Sequence, residues 1–386
     1  VRDGHPWVFA DTLRGRSLAE AVGQAVDLLD PDGQFVARAL AEPEGNPVLR
    51  VFSAEPGATV NAAYLAGRIE SCLRLRRSTL DEPSPGCFRL VNGDSEGIPA
   101  VTVDRFGAYL VVCLYSPVAR VFERTLVDTL VRMVGPDGVY LQRRYAPPRP
   151  NEPRPGAELA AGAPAPPELE VVEGRCRFVV DVTAPGSPGL FLDMREGRNA
   201  VARLAGGREV LNCFSYTGAF SVVAAVHGAS SVVSVDASTR AHGRARRNFS
   251  HNGLDLSLSG ARYEFVTGDA FATLARLADK GRRFDLVVLD PPTFSSAKGR
   301  TFTALKDYAD LVRAAVGALR GGGLLCACCN AVKLPEPDFD RAIGHGAALA
   351  SRRAVITHRL GLPPDFPVLP SFPEGRYLKI ALARVE

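Results

Sequence analysis

REVLNCFSYTGAFSVVAAVHGASSVVSVD, residues 208–236, reads as strand, loop, helix and strand. The apolar run VLNC gives way to FSYTG, a polar loop closed by Gly218. GAFSVVAAVHG carries enough apolar residues for a buried helix, and SSVVSVD is a second short Val-rich run that ends on Asp236. Strands this apolar are covered on both faces. A strand–helix–strand unit of this kind joins neighbouring parallel strands.

The alternation continues to the end of the chain. RYEFVTGD precedes the helix AFATLARLADKG, and FDLVVLD precedes ALKDYADLVRAAVGALR. GGLLCACCN precedes PDFDRAIGHGAALASRR, and AVITHRLG and YLKIALARV close the sequence. The expectation from about residue 184 onward is an α/β domain with a mostly parallel sheet and helices on both faces.

Upstream the texture differs. Residues 1–68 hold short strand-like runs (AVDLLD, FVARALAE, VLRVFS) between Gly, Pro and Asp turns, as in a small β-rich domain. Residues 69–183 mix a basic helix with strands such as FRLVNG, PAVTVDRFG and AYLVVCLY, and read as an α+β middle domain. Within it, residues 146–168 are rich in Pro, Ala and Gly without an apolar period, and read as an exposed, mobile loop.

Composition sets the outer bounds. A chain of 386 residues with 46% hydrophobic and 23% charged residues is expected to be soluble, globular and multi-domain. No apolar run approaches the twenty or so residues of a membrane span, and the first residues lack a secretory pattern. The absence of an initiator Met suggests that a few residues have been trimmed. Eight cysteines, three of them crowded into 326–329, do not resemble a disulfide framework, which points to a reducing cytoplasm. The net charge of +4 is compatible with a nucleic-acid partner, and Arg clusters at 68–77 and 240–247 read equally as solvated helix faces.

In open α/β sheets, ligands bind beyond the carboxyl ends of the strands. Here those ends carry Asn212 to Gly218, Asp236, Asp269, Asp290-Pro291-Pro292 and the cysteine cluster. Asp236 follows Gly218 by 18 residues, close to the spacing at which an acid holds a ribose diol; its competing reading is a cap on the helix that follows. The loop has no GxGxxG, so a pyrophosphate has no backbone cradle. An adenosyl ligand without phosphate, S-adenosylmethionine, fits better. In DPPTF (290–294) a buried carboxylate could accept or donate a hydrogen bond, and Phe294 could stack on a base; the competing reading is a turn with a core Phe.

At this point a resemblance emerges. FLDMRE (191–196), VLNCFSYTGAFSV (210–222), VVSVD (232–236), FDLVVLDPPTF (284–294) and FPEGRYLK (372–379) resemble the ribosomal-RNA methyltransferase family that modifies C5 of a cytosine in large-subunit RNA. GHPWVF (4–9) is similar to that family's PUA opening, and FRLVNGDSEGIPAVTVDRFG (88–107) to its middle domain. The resemblance implies a PUA-like domain (1–68), a middle domain (69–183) and a class I, Rossmann-like methyltransferase domain (184–386) with a seven-stranded, mostly parallel sheet. It implies that Asp236 holds the ribose and that Asp269 and Ala270 face the adenine. Phe214, Ser215, Tyr216, Thr217 and Gly218 would line the methionine moiety, with Asp193 and Arg195 near its amino-acid end. Asp290 would touch cofactor and target base, beside Pro291, Pro292 and Phe294.

The cysteines take their meaning from that chemistry. C5 of cytosine is unreactive until a thiolate adds to C6, after which a base must remove the C5 proton. In register with the family's Ser-Cys-Ser-Gly, Cys328-Cys329-Asn330-Ala331 puts the nucleophile at Cys329. Strand alternation sets Cys326 and Cys328 on the opposite face, as packing. Asn330 and Ala331 depart from the family pattern, and a related branch that methylates guanine N2 carries Asn in this region and shares DPPTFS. Three readings follow: a cytosine C5 enzyme, a guanine N2 enzyme, and an RNA-binding assembly factor that keeps the fold without turnover. A zinc site on CxCC lacks a matching second ligand pair, since His345 and His358 have the wrong spacing. Arg2, His5 and Trp7 are weak RNA-contact candidates that read equally as core or turn residues. Large-subunit ribosomal RNA is the expected partner, no membrane is expected, and a homodimer stays open.

Overall fold

The computed structural model describes residues 1–386 apart from 14–17, 19–20, 43–44, 81–85, 146–154, 255, 258–261 and 298–299, with the backbone alone at 295–297, 300 and 301. The chain divides into two compact units. One comprises Val1–Val172, Val180–Pro188 and Pro364–Gly375; the other comprises Glu173–Val179, Gly189–Pro363 and Arg376–Glu386.

The first unit holds two sheets. β1 (Trp7–Val8), β2 (Ala25–Leu29), β3 (Phe35–Ala41) and β4 (Leu49–Ser53) form a four-stranded antiparallel sheet in the order β1-β4-β3-β2. A separate five-stranded sheet runs β5 (Cys87–Asn92), β6 (Val101–Phe106), β7 (Tyr109–Leu114), β8 (Gly138–Arg143) and β9 (Glu158–Gly162) in sequence order. β7 and β8 are parallel because α2 (Glu123–Val134) connects them. α1 (Ala62–Thr79) contributes Leu65, Ile69 and Cys72, and α2 contributes Leu126, Val127 and Leu130, to one core with Leu90, Val103, Val112 and Leu141 of the sheet.

β9 corrects the expectation of an unstructured 146–168 segment. Residues 158–162 pair antiparallel with β8, and the Arg143 guanidinium holds Glu158 at 2.5 Å. ELAAG lacks the β-branched residues that mark a strand in sequence, and its pairing is supplied by the sheet edge. The rest of that expectation, at 146–154, lies outside the described residues.

After β10 (Leu169–Glu173) and β11 (Cys176–Val180), the second unit is the expected α/β domain. Its strands are β12 (Glu209–Cys213), β13 (Ser231–Asp236), β14 (Tyr263–Thr267), β15 (Phe284–Leu289), β18 (Leu319–Cys329), β19 (Ala354–Leu360) and β20 (Lys379–Val385). A hairpin of β16 (Phe294–Ala297) and β17 (Arg300–Thr303) follows β15. The sheet order is β14-β13-β12-β15-β18-β20-β19, and β20 runs antiparallel to both neighbours. The order reverses between β12 and β15, so their carboxyl ends open the crevice where this fold binds ligands.

Helices cover both faces. α3 (Arg195–Leu204), α4 (Ala219–Val226) and α5 (Thr239–His251) pack in one layer, and α6 (Ala270–Asp279), α7 (Ala304–Gly317) and α8 (Glu336–Leu349) in the other. The second layer closes over Leu211, Val233, Val287, Leu325, Ala327 and Cys329, alternate residues of adjacent strands. No described helix is long and apolar enough to cross a membrane.

Candidate active site

The loop after β12 is built from backbone conformations that cost energy. Phe214 and Tyr216 have φ of 60° and 48°, and Gly218 has φ of 77°. A left-handed non-glycine residue costs about 1–2 kcal/mol, so the surroundings must hold the loop in place. They do so at each step. Ser215 N donates to Val235 O at 2.9 Å, Thr217 Oγ1 donates to Gly189 O at 2.5 Å, and Asn248 Nδ2 donates to Thr217 O at 2.8 Å. At Gly218 a side chain has no room, because a Cβ would lie 2.9 Å from Ala245 Cβ of α5.

Asp236, half-buried at the end of β13, completes the frame. Its Oδ2 accepts from Tyr216 N and its Oδ1 from Ser238 N, both at 2.8 Å. The N-cap of α5 is Ser238, whose Oγ accepts from Ala241 N, so the capping role weighed for Asp236 belongs to its neighbour. Each Asp236 oxygen keeps a lone pair for a further donor. Asp269 does cap α6, with Oδ1 accepting from Ala272 N at 2.9 Å, and Ala270 is buried behind it. Phe302 is buried between Phe214 and Phe271, with ring centroids 6.3 and 6.1 Å away.

A second cluster gathers carboxylates and guanidinium groups around α3. Arg198, 2% exposed, grips buried Glu173 with Nε–Oε1 at 2.5 Å and Nη2–Oε2 at 2.6 Å. Arg195 Nε lies 3.4 Å from Glu173 Oε2. Burial works against the Glu173 charge, but the two arginines outweigh it and hold its carboxyl below the usual range. Arg195 is therefore engaged with Glu173, while Asp193 Oδ2 accepts from the Tyr377 hydroxyl at 2.7 Å. Burial, and then the nearby Asp193 charge, push the Asp290 carboxyl up to about 7, with Arg198 pulling the other way. Such a carboxyl exchanges protons near neutral pH.

Beyond Asp290, Pro291 is buried, Pro292 is exposed and Phe294 is 62% exposed at the start of the β16–β17 hairpin. Thr293 Oγ1 donates to Asn330 Oδ1 at 2.7 Å, joining the ends of β15 and β18. Leu289 pairs with Ala327, so Asp290 and Cys328 stand at the same level on adjacent strands and Cys329 one residue further. Cys329 faces the core under α7 and α8 and is 1% exposed, whereas Cys326 and Cys328 face the other layer. The Tyr308 hydroxyl donates to Cys328 O at 2.7 Å. Burial raises the Cys329 thiol above its ordinary value, while the Ala331 N–H and Lys379 pull it down.

The second unit thus brings Asp193, Arg195, the 214–218 loop, Asp236, Asp269, Asp290 and Cys329 to the helix N-terminal side and strand ends of one sheet. In the first unit, Arg2 pairs with Asp30, His5 bonds Glu374 at 3.2 Å, and Trp7 packs on Phe372 at 4.6 Å. His5 and Trp7 take part in that unit's own packing, while Arg2 lies exposed at its surface. Sequence reasoning missed Glu173, Arg198, Phe302, Tyr377 and Lys379; only the last two sat in a stretch, FPEGRYLK, already marked as distinctive.

Comparison with known proteins adds an independent line. The family profile of S-adenosylmethionine-dependent methyltransferases matches residues 119–378, and that of a PUA-like domain matches residues 1–54. Ribosomal RNA large subunit methyltransferase I of Erwinia tasmaniensis is 33% identical over 386 residues, covering 99% of this chain and 95% of that protein. Its namesake in Escherichia coli O157:H7 is 32% identical over 385 residues, with the same coverage. A solved methyltransferase complexed with SAH superimposes with a TM-score of 0.88 at 25% identity, over 99% of this chain and 96% of the other. A SAM-dependent methyltransferase from Streptococcus mutans shares the fold, with a TM-score of 0.86 at 24% identity over 99% and 96% of the two chains.

Proposed function

The chain belongs to the S-adenosylmethionine-dependent methyltransferases, and from that premise we propose that it methylates C5 of a cytosine in large-subunit ribosomal RNA. The observation that carries the proposal is Cys329 at the carboxyl end of β18, one residue beyond the level of Asp290 on β15. The end-to-end likeness to large-subunit methyltransferases supports the substrate class.

The donor set suits the cofactor: an acid with spare lone pairs for a ribose diol, a rigid phosphate-free loop, and carboxylates for an amino-acid tail. Asp236 would hold the ribose, Asp269 and Ala270 would face the adenine, and residues 214–218 with Asp193 would hold the methionine portion. Arg195, through Glu173, would keep that end of the site in register. S-adenosylmethionine, when bound, supplies the methyl group.

The chain's own residues do the rest. The Cys329 thiolate adds to C6 of the cytosine and makes C5 electron-rich. After methylation, the Asp290 carboxylate takes the C5 proton, the C6–S bond breaks, and the thiolate is restored. A carboxyl near 7 is well matched to that transfer at neutral pH. Pro291 and Pro292 would stiffen the wall of the base site, and exposed Phe294 would stack on an unpaired base. The base must be unstacked to reach a buried thiol. Segments 1–68 and 69–183 would grip the RNA, so binding should weaken with salt.

A guanine N2 reading draws on one specific contact, the exposed Asn330 amide bonded to Thr293 of DPPTF. The test is methyl transfer from labelled S-adenosylmethionine to unmodified large-subunit RNA, followed by nucleoside analysis. Labelled 5-methylcytosine supports the C5 proposal; labelled methylguanine moves the chain to the N2 branch; and binding without transfer leaves an assembly factor.

A further inference from the structure

The proposed reaction leaves FPEGRYLK (372–379) without a role, although its last residue stands opposite the proposed nucleophile. In the antiparallel β18–β20 pair, Cys329 is the register partner of Lys379. Directly opposed residues leave the sheet on the same face, with Cβ atoms about 5 Å apart. Lys379 is only 8% exposed, and a buried lysine is rare unless something answers its charge. Its Nζ donates to Ala331 O and Tyr377 O, each at 2.9 Å, which uses two of its three N–H groups. Glu336, at the start of α8, is the carboxylate that acts on its charge.

We infer that Lys379 is a positioning residue that holds Cys329 as the thiolate, and that it fixes the strand end by gripping the Ala331 carbonyl. The inference rests on Cys329 being the nucleophile. Cys329 is faced by Lys379 from β20, Asp290 from the end of β15 and Tyr308 from α7, with Cys328 beside it in the chain. Lys379 is faced by Cys329 and by Glu336 at the start of α8. Burial disfavours either charge alone, and the Asp290 charge opposes a thiolate. Lys379 supplies the compensating side-chain charge, beside the Ala331 N–H, so thiolate and ammonium stabilise one another. The thiol proton leaves to water, Lys379 stays protonated throughout, and the thiolate returns when the C6–S bond breaks.

The test is the pH dependence of Cys329 alkylation by iodoacetamide in the full-length protein, read at that residue by peptide mass. Lys379→Gln keeps amide donors for the two carbonyls and drops the charge; Lys379→Arg keeps the charge. The expected result is an alkylation curve displaced to higher pH in Lys379→Gln, about tenfold slower at pH 7.5 for each unit of displacement, with Lys379→Arg near wild type. Should Lys379→Gln fail to melt cooperatively, Lys379→Met read against the Arg variant carries the same comparison. Superimposable curves for wild type and a folded charge-removing variant overturn the inference. Methyl transfer to RNA by Cys329→Ala separates the two levels: if it persists, the nucleophile reading itself fails; if it is lost while the curves superimpose, only the role of Lys379 fails.

Discussion

Asp236 accepts the backbone N–H of Tyr216 at 2.8 Å, so the acid at the end of β13 fixes the loop at the end of β12. The same carboxylate serves the proposed ribose site, so one acid would both brace the loop and hold the cofactor. Asp236→Ala should weaken S-adenosylmethionine binding about 10–100-fold, the worth of one or two charge-assisted hydrogen bonds. Ser238→Ala removes only the cap of α5, costing about 1 kcal/mol of stability with little change in affinity. Calorimetric titration distinguishes the two; equal affinities for Asp236→Ala and wild type would remove the ribose assignment.

Gly218 is required for both its conformation and its space. A Cβ there meets a left-handed φ of +77° and Ala245 Cβ at 2.9 Å. Gly207 shares the conformation, with φ of +71°, but nothing lies within 4 Å of its Cβ position. Gly207→Ala should cost about 1 kcal/mol from strain alone. Gly218→Ala should cost about 1–3 kcal/mol more, because α4 must shift from α5. Chemical denaturation of the two variants checks the order.

Asp290 makes stability depend on pH in a defined direction. Its folded carboxyl is raised to about 7 from an ordinary 3.8, so the folded state binds the extra proton between those values. The favourable contribution is full below the unfolded value and is lost as pH rises through about 7. Asp290→Asn removes the penalty. Melting without cofactor should show the variant gaining on wild type from pH 5 to pH 8, by at most about 3 kcal/mol. A gap that stays flat or narrows toward pH 8 would mean that the carboxyl is not raised.

Glu173 anchors two buried guanidinium groups, so its loss leaves positive charge without its anion. Glu173→Gln should cost about 3–5 kcal/mol. Glu264→Gln, which breaks the half-buried pair with Arg282, should cost about 1 kcal/mol. Thermal melts of the two variants provide the comparison.

Much of this was legible in the sequence because the physics behind it is local. Val-rich strands alternating with helices fix a parallel sheet, and acids at successive strand ends fall at its ligand-binding edge, as Asp236, Asp269 and Asp290 do. What was not legible depends on long-range partners. The Glu173–Arg198 pair joins residues that share no local pattern. Lys379 meets Cys329 only because β20 inserts antiparallel between β18 and β19, an order that chain sequence alone does not dictate. The strand 158–162 is an edge effect, set by the exposed hydrogen-bonding groups of β8 rather than by its own residues.

The most direct test of the central claim uses large-subunit RNA carrying 5-fluorocytidine, in which fluorine replaces the proton that must leave C5. With S-adenosylmethionine present, the account predicts a covalent protein–RNA complex that survives denaturation, maps to Cys329 and is missing in Cys329→Ala. Methylation of unmodified RNA that proceeds with no trapped complex, or equally well in Cys329→Ala, would contradict it.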